Sequence, residues 1–291
     1  MLNSMEIYFD QFDQKISNVY IDSLALSRAN MRIVECLRTY MGLIETFRTG
    51  STLAGTAISP FSDVDLFVRI PRAYMNANST KSLIEVYNAL SEGNFINISL
   101  QSPVVVVKYV PGGDQYLDVV PSFSDDDQDQ ELLLIPGFDG DWIRSNPKSH
   151  GAVITKGDLK AGGRLKPLIR FLKAWKYGNN VPIVSFFLEC AAYWYVQKQY
   201  VVEYGEAIEN VLTNIFFGII KHEEGYSITN PISSYLGDVQ PFAEDNRGEV
   251  YQKMLVSIGF VKAANEMALE GEFANAAGVW NMAFGNGVQF P

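Results

Sequence analysis

Two aspartates stand two residues apart in a short apolar segment, Asp63 and Asp65 in SDVDLFVRI. Side chains alternate between the two faces of a β-strand, so a strand here places both carboxylates on one face. Mg²⁺ prefers oxygen ligands of this kind, and in proteins it commonly bridges to substrate phosphates. The spacing therefore predicts a divalent-metal site that acts on a phosphorylated substrate.

A second motif lies just upstream, at Gly50 and Ser51. Glycine lets the backbone turn closely enough for amide N–H groups to face an anion, and the serine hydroxyl adds a further donor. Each motif is common by itself, because Gly-Ser is usually a turn and Asp-x-Asp is usually a solvated strand face. Their combination with Gly55 and Thr56 favours a phosphate cradle beside a two-carboxylate metal site, suited to attack on a nucleoside triphosphate.

A third carboxylate is expected on a hairpin further along the chain. Residues 103–110 are rich in valine, residues 111–114 have turn chemistry, and residues 116–121 return as a strand with Asp118 at its centre. A charge among apolar neighbours is costly unless it is paired or bound to a cation. Asp118 is therefore either an ordinary strand-face aspartate or the third ligand of the metal site.

The remaining pattern predicts mostly helices around these strands. Apolar spacing over residues 4–46 is typical of two helices, or of one helix bent near Asp22, that form a spine behind the sheet. Residues 137–163 are expected to be rich in loops, and the acidic run at residues 125–131 is predicted to be a solvated loop. Further helices are expected at about residues 80–90, 164–176, 184–197, 204–220, 246–269 and 273–284.

Three polar residues of the C-terminal half each allow two interpretations. Ser185 either caps the helix at residues 184–197 or binds a phosphate at the free N–H groups of that helix. Lys173 is either a solvated lysine or the cation for a triphosphate. Asp158 is either a helix N-cap or a hydrogen-bonding group for a base, among residues 155–164.

Composition limits the class of protein. The chain has 291 residues, and 47% of them are hydrophobic. Its net charge is −10, with 23 Lys plus Arg, and this acidic balance does not favour a surface that wraps long RNA or DNA. It shows no apolar run long enough for a membrane span and no secretory leader, and Cys36 and Cys190 lie in helical patterns. We therefore expect a reduced, cytoplasmic protein that does not bind membranes. The two histidines do not support a histidine-dependent mechanism.

The order of these motifs resembles a known family. The pattern GS…GT…DVD resembles the nucleotidyltransferases of the DNA polymerase β-like superfamily, in which Asp118 would complete the usual metal triad. The segments YLDVVPSF, RLKPLIRFLKAWK, VPIVSFFLE and WNMAFGNGVQFP narrow the resemblance to the bacterial CD-NTases, relatives of cyclic GMP–AMP synthase and oligoadenylate synthetase. The resemblance covers nearly the whole chain.

The resemblance implies an α+β fold. A nucleotidyltransferase core with a mixed sheet and an N-terminal spine helix would occupy residues 1–140, and a helical domain residues 141–291, with the active site in the cleft between the lobes. It also implies a role for each site residue. Metal ions would be bound by Asp63, Asp65 and Asp118, phosphates by Gly50, Ser51, Lys173 and Ser185, and a stacked base by Phe186.

The activity implied by the resemblance is the joining of nucleoside triphosphates (ATP, GTP, UTP or CTP) into a cyclic di- or trinucleotide or a short oligonucleotide. Two Mg²⁺ ions, or Mn²⁺, would serve in-line attack at the α-phosphorus with release of pyrophosphate, and Asp118 is the best candidate to receive the proton. Many such enzymes act as the signal-producing component of anti-phage (CBASS) operons, beside an effector that binds the product. We expect this chain to act as a monomer. Transfer to RNA or to a protein is the alternative activity, and a non-catalytic nucleotide-binding module is disfavoured by the intact aspartates.

Overall fold

The computed structural model describes residues 4–93, 95, 97–101, 103–110, 113–126, 129–137, 139–222 and 225–291. Its helices are α1 (Ser4–Ser17), α2 (Ser23–Met41), α3 (Ser51–Ala54), α4 (Ser79–Ser91), α5 (Pro147–Lys160), α6 (Leu165–Gly178), α7 (Ser185–Val196), α8 (Tyr204–Lys221), α9 (Arg247–Leu269) and α10 (Phe273–Phe284). Its strands are β1 (Glu45–Thr49), β2 (Val64–Arg69), β3 (Asn97–Gln101), β4 (Val104–Lys108), β5 (Tyr116–Asp126), β6 (Asp129–Pro136), β7 (Trp142–Ser145), β8 (Ile228–Thr229) and β9 (Asp238–Val239).

The chain forms two compact units whose segments alternate along the sequence. The sheet unit contains Tyr20–Gly55 and Ser62–Ala152, and the helical unit contains the described residues of Met1–Val19, Thr56–Phe61 and Val153–Pro291. These units differ from the predicted domains of residues 1–140 and 141–291 at the first helix, at the segment 56–61 and at residues 141–152. A mixed α and β architecture, as predicted, is confirmed.

The sheet unit is built on a mixed sheet. The described strands follow the order β1-β2-β5-β4-β3, and β6 pairs with both β5 and β7. Strands β2 and β5 run parallel, whereas the other pairs are antiparallel. The face of β2 that carries Val64, Leu66 and Val68 is buried in one core with residues of α2 and α4, so these helices cover this side of the sheet.

The predicted bend in the first helical region is confirmed as a break between α1 and α2. Asp22 ends the linker, and its carboxylate accepts hydrogen bonds from the N–H groups of Leu24 (3.1 Å) and Ala25 (2.9 Å), which caps α2. The spine predicted behind the sheet is therefore α2. The first helix, α1, packs in the helical unit instead.

The prediction that residues 137–163 are rich in loops is wrong. They contain the strand β7 and the helix α5, and two of the glycines behind the prediction lie inside α5. At Gly157 an added Cβ would lie 2.8 Å from the Tyr193 ring, so close packing rather than a turn explains this glycine. The expectation failed because a glycine that serves packing has the same sequence signal as a glycine in a loop.

The acidic run is also not a simple loop. Strands β5 and β6 extend into it, and Asp126 pairs with Asp129 at the end of the hairpin. Residues 127 and 128 lie outside the described residues, as do Pro111 and Gly112 of the predicted turn. No helix in the described ranges combines the length and low polarity needed to cross a bilayer.

The helical unit is held together by aromatic packing around α1. Phe9 and Phe12 are fully buried; the Phe12 ring stacks on that of Phe171, with centroids 5.7 Å apart, and Phe9 meets the edge of Trp280 at 5.0 Å. On the same helix Asp13 accepts two hydrogen bonds from the Arg170 guanidinium, at 2.6 and 2.7 Å. The first helix is thus an integral part of the core of the helical unit.

Replacing Phe12 with alanine should lower the free energy of unfolding by about 3–5 kcal/mol, because the substitution leaves a cavity among buried rings. Urea denaturation followed by circular dichroism measures this change. The matched control is Tyr200→Ala in the same unit, where the ring is fully exposed and the expected change is within about 0.5 kcal/mol. Equal effects of the two substitutions would contradict the placement of α1 in the core.

Candidate active site

Three carboxylates meet on one face of the sheet unit. Asp63 immediately precedes β2, Asp65 lies on β2, and the parallel pairing of β2 with β5 sets Asp65 opposite Asp118. Neighbouring strands are about 5 Å apart, so these two side chains are direct neighbours. The apolar residues that alternate with them, Val64 and Leu66, are buried on the opposite face, which is why the aspartates face away from α2 and α4.

Gly50 packs directly against one of these carboxylates. It has a φ of +75°, which side chains disfavour, and a Cβ added to it would lie 1.7 Å from Oδ2 of Asp65. Glycine is required here for both reasons. Ser51 follows as the first residue of the single helical turn α3, so the predicted phosphate motif and the predicted metal site are adjacent in the structure.

Two of the three carboxylates, Asp63 and Asp118, are less acidic than usual. Burial, and then the charges of Asp63 and Asp65, raise the pKa of Asp118 to about 7. Burial raises the pKa of Asp63 to about 6. Oδ1 of Asp118 is buried and has no hydrogen-bond partner among the described residues, so nothing in that part of the chain offsets the charge at this oxygen.

The donor set fits a hard divalent cation. No group of three or more His, Cys, Asp or Glu side chains in the described ranges is already arranged to hold a metal ion. The backbone register nevertheless brings together oxygen donors only, one of them a buried oxygen without a partner, and a cation would offset their repulsion. Asp63, Asp65 and Asp118 are the residues that would hold such an ion.

Lys173 is buried, although one interpretation of the sequence was a solvated lysine. Its side chain is 4% exposed; the ammonium is ion-paired with Glu189 and donates to the carbonyl oxygen (3.2 Å) and the hydroxyl (3.3 Å) of Thr56. The hydroxyl of Thr56 donates in turn to Glu189, at 3.1 Å. The interpretation of Lys173 as a solvated lysine is wrong, and its contact with a triphosphate stays a prediction that requires an exchange of partners.

Ser185 is the first residue of α7, and Val184 occupies the cap position. The serine oxygen accepts a hydrogen bond of 2.7 Å from Nζ of Lys176, and no capping bond from Ser185 is found among the described residues. The capping interpretation is therefore wrong, whereas the phosphate role remains a prediction. Phe186, the next residue, is half-buried, and its stacking on a base also stays a prediction.

Sequence reasoning missed Lys176. It lies three residues after Lys173 on α6, a spacing that puts both side chains on the same side of a helix. This spacing alone could have indicated that Lys176 is a neighbour of Lys173. The prediction that Asp158 is a helix N-cap is wrong, because Asp158 lies inside α5 and Arg164 occupies the cap position of α6. Its carboxylate nevertheless accepts a hydrogen bond of 2.9 Å from the N–H group of Lys166 in the first turn of α6, and its contact with a base stays a prediction.

Solved structures of other proteins share this fold over nearly the whole chain. The chain aligns with CdnC of E. coli MS115-1, solved with ATP, over 99% of its length and 98% of that chain, with a TM-score of 0.72 and 16% identity. It aligns over 98% of its length, and 88% of the other chain, with Vibrio cholerae DncV, a cyclic AMP-GMP synthase solved with the linear intermediate 5′ pppA(3′,5′)pG (TM-score 0.62, 17% identity). More narrowly, the chain has the fold of the bacterial CD-NTases, and the resemblance predicted from its motifs is confirmed.

Similarity in sequence points to the same group of proteins. A cyclic AMP-AMP-AMP synthase from Acinetobacter sp. (strain ATCC 27244 / 9458) is 28% identical to the chain over 159 residues, which are 50% of this chain and 44% of the relative. The match therefore spans less than half of the relative's length. No protein-family model matches the chain.

Gly50→Ala should weaken Mn²⁺ binding by at least about 10-fold, because the new Cβ displaces the Asp65 carboxylate. Titration calorimetry measures this affinity. Gly162→Ala is the control for a side chain at positive φ: its φ is +62° with open space around it, and the backbone strain there should be roughly 1–2 kcal/mol. The strain at Gly50, with φ of +75° and ψ of −160°, is on the order of 1–3 kcal/mol. Loss of Mn²⁺ affinity in both variants, or in neither, would contradict the role given to Gly50.

Asp118→Asn should raise the thermal stability of the EDTA-treated protein at pH 8. The pKa of Asp118 in the folded protein exceeds its unfolded value, so its ionisation costs stability as pH rises from about 4 to about 7, and asparagine removes that cost. The expected gain at pH 8 is on the order of 2 kcal/mol; it should be clearly smaller at pH 5, and it vanishes only below about pH 4, where Asp118 is protonated in both the folded and the unfolded chain. Asp139→Asn, at an exposed aspartate, is the control in thermal melts at both pH values.

Proposed function

We propose that this protein is a nucleotidyltransferase that makes a cyclic di- or trinucleotide, or a short oligonucleotide, from ribonucleoside triphosphates. The single observation that carries the proposal is the parallel register that sets Asp65 opposite Asp118, with Gly50 packed against Asp65. This arrangement supports a metal site and a phosphate-binding turn within one short region of the sheet unit. The fold shared with CdnC and DncV supports the same class of reaction.

Asp63, Asp65 and Asp118 would hold two divalent ions, Mg²⁺ or Mn²⁺. Ions bound there supply charge compensation for the triphosphate and a more acidic ribose hydroxyl. Ser51 and the N–H groups of α3 orient the phosphates, since Gly50 turns the backbone towards them. The attacking hydroxyl forms a bond to the α-phosphorus of a second nucleotide, the bond to the β-phosphate oxygen breaks, and pyrophosphate leaves.

Asp118 is the residue that we assign to accept the proton of the attacking hydroxyl. Its side chain is half-buried, and its Oδ1 is buried without a hydrogen-bond partner in the described part of the chain, so this oxygen is able to accept a proton. Cyclisation requires the linear product to turn over, so that the same carboxylates serve the second bond.

The relatives support triphosphates as substrates. CdnC was solved with ATP, DncV with a linear intermediate that joins A to G, and the Acinetobacter relative makes cyclic AMP-AMP-AMP. For this chain we propose ATP as one substrate, a cytoplasmic location, action as a monomer, and a role as the signal-producing component of an anti-phage (CBASS) operon. A product-binding effector is the partner that such a role requires.

The decisive experiment incubates the purified protein with all four ribonucleoside triphosphates and Mg²⁺, followed by phosphatase treatment and mass spectrometry. We expect a phosphatase-resistant product whose mass equals two or three nucleotides joined with loss of pyrophosphate. EDTA, or Asp65→Asn, should reduce product formation by at least about 1,000-fold, whereas Asp139→Asn should leave it unchanged. Transfer of nucleotides to RNA or to protein, in place of a small product, would contradict the proposal.

A further inference from the structure

The start of α5 contacts one face of β1 at three successive side chains. Glu45, Phe47 and Thr49 alternate along β1 and therefore point to the same face. Nζ of Lys148 lies 3.3 Å from Oε1 of Glu45 and 4.7 Å from the centre of the Phe47 ring. The hydroxyl of Thr49 donates a 2.7 Å hydrogen bond to the carbonyl oxygen of Pro147. Two consecutive residues of α5 thus contact this face from one end of β1 to the other.

The contact that Thr49 makes is the buried one of the three. The side chains of Lys148 and Glu45 are 42% and 36% exposed, and an ion pair at such a position contributes little to stability. Thr49 is 8% exposed, and Pro147 is buried as well. Water cannot replace a hydrogen bond between buried groups. The hydroxyl of Thr49 is therefore the contact that fixes α5 against β1.

Thr49 lies in the same row of the sheet as two of the metal-site carboxylates. It pairs with Asp65 on β2, and Asp65 pairs with Asp118 on β5. Directly paired side chains of antiparallel strands have Cβ atoms about 5 Å apart, so Thr49 is the neighbour of Asp65 on the side away from Asp118. The next two residues in the chain are Gly50 and Ser51, the phosphate-binding turn.

The same helix also lies beside the single helical turn α3, which follows Gly50. A Cβ added to Gly151 of α5 would lie 3.9 Å from Cα of Ala54, the last residue of α3, so the two backbones are in close contact. One turn of helix is not stable by itself, and its position depends on its neighbours. Thr49 before this turn and Gly151 beside it thus both relate the phosphate-binding turn to α5.

We propose that Thr49 is a positioning residue for the triphosphate of the substrate: its hydroxyl anchors the Gly50–Ser51 turn to the start of α5 and so sets the place of the phosphate donors relative to Asp65. This inference rests on the proposed function for the identity of the ligand. Thr49 acts through Ser51 and the N–H groups of α3. A donor misplaced by about 1 Å can cost as much as 100-fold in activity, so a hydroxyl behind the turn can control affinity.

The test compares three forms of the full chain: wild type, Thr49→Val and Thr49→Ser. Valine replaces the hydroxyl with a methyl group, whereas serine keeps the hydroxyl. Titration calorimetry measures binding of a non-hydrolysable ATP analogue with Mg²⁺. Thr49→Val should bind the analogue about 10-fold more weakly, as expected for the loss of one buried hydrogen bond, and Thr49→Ser should bind within about 2-fold of wild type.

Ser122→Ala is the matched control. Ser122 is fully buried on β5 of the same sheet unit, and its hydroxyl donates a 3.2 Å hydrogen bond to the carbonyl oxygen of Val68. The variant loses a hydrogen bond of the same kind, so its melting temperature should fall as that of Thr49→Val does. Its affinity for the analogue should stay within about 2-fold of wild type. This control separates the position of the phosphate-binding turn from a general loss of stability.

Mn²⁺ binding without nucleotide shows which part of the site Thr49 affects. The carboxylates are carried by β2 and β5 rather than by the turn, so Thr49→Val should keep its Mn²⁺ affinity within about 2-fold of wild type. Three outcomes would overturn the inference: wild-type affinity for the analogue in Thr49→Val, the same loss in Thr49→Ser or Ser122→Ala as in Thr49→Val, or a loss of Mn²⁺ affinity as large as the loss of nucleotide affinity.

These measurements do not depend on turnover, so the proposed function is judged separately. If binding of the analogue requires the Thr49 hydroxyl but no oligonucleotide forms, the proposed function fails and this inference stands. If the wild type makes product and Thr49→Val makes it with an unchanged KM, the proposed function stands and this inference fails.

Discussion

The parallel pairing of β2 with β5 is the constraint on which the site depends. It sets Asp65 opposite Asp118 across neighbouring strands, and Asp63 adds a third carboxylate one step before β2. Like charges in a buried position repel one another, which is why the pKa of Asp118 rises to about 7. Packing of apolar residues on the opposite face of the sheet must outweigh this repulsion, and Val64, Leu66 and Val119 supply such packing against α2 and α4.

A related balance of charge explains the difference between the two lysines of α6. A buried ion pair contributes little to stability by itself, but removing one of its members leaves an uncompensated charge. Lys173 and Glu189 form such a pair, and Thr56 satisfies further hydrogen bonds of both groups. The second lysine has a hydroxyl and an aromatic ring as neighbours rather than an acid. One helix therefore presents a neutralised cation and an unneutralised one.

Much of the fold could be predicted because its signals are local. The period-two alternation around Asp63 and Asp65 predicted β2, and apolar spacing predicted the helices α4 and α6 to α10 within a few residues. The strands β1, β3, β6 and β7 were not predicted, because each depends on a partner that lies elsewhere in the sequence. The hairpin of β4 and β5 was predicted for the same local reason, but Asp118 was placed beside Asp63 and Asp65 only through the family resemblance, because the pairing of β2 with β5 joins distant segments.

The parts of the site that escaped prediction depend on tertiary contacts. Sequence spacing shows that Lys173 and Lys176 share a side of α6, but only the position of Glu189 on α7 decides which of them is neutralised. In the same way, Gly50 was expected to serve a phosphate, and its contact with the Asp65 carboxylate is visible only once β1 and β2 are paired.

The location of α1 has a consequence for biosynthesis. Its rings, Phe9 and Phe12, pack on Phe171, Trp280 and Phe290, which a ribosome adds much later. At about 5–20 residues per second, the earliest helix would wait on the order of ten seconds or more for its aromatic partners. During that interval its apolar side chains lack their packing partners and are exposed to chaperones. The sheet unit ends at Ala152, so all of its strands are synthesised before most of the helical unit.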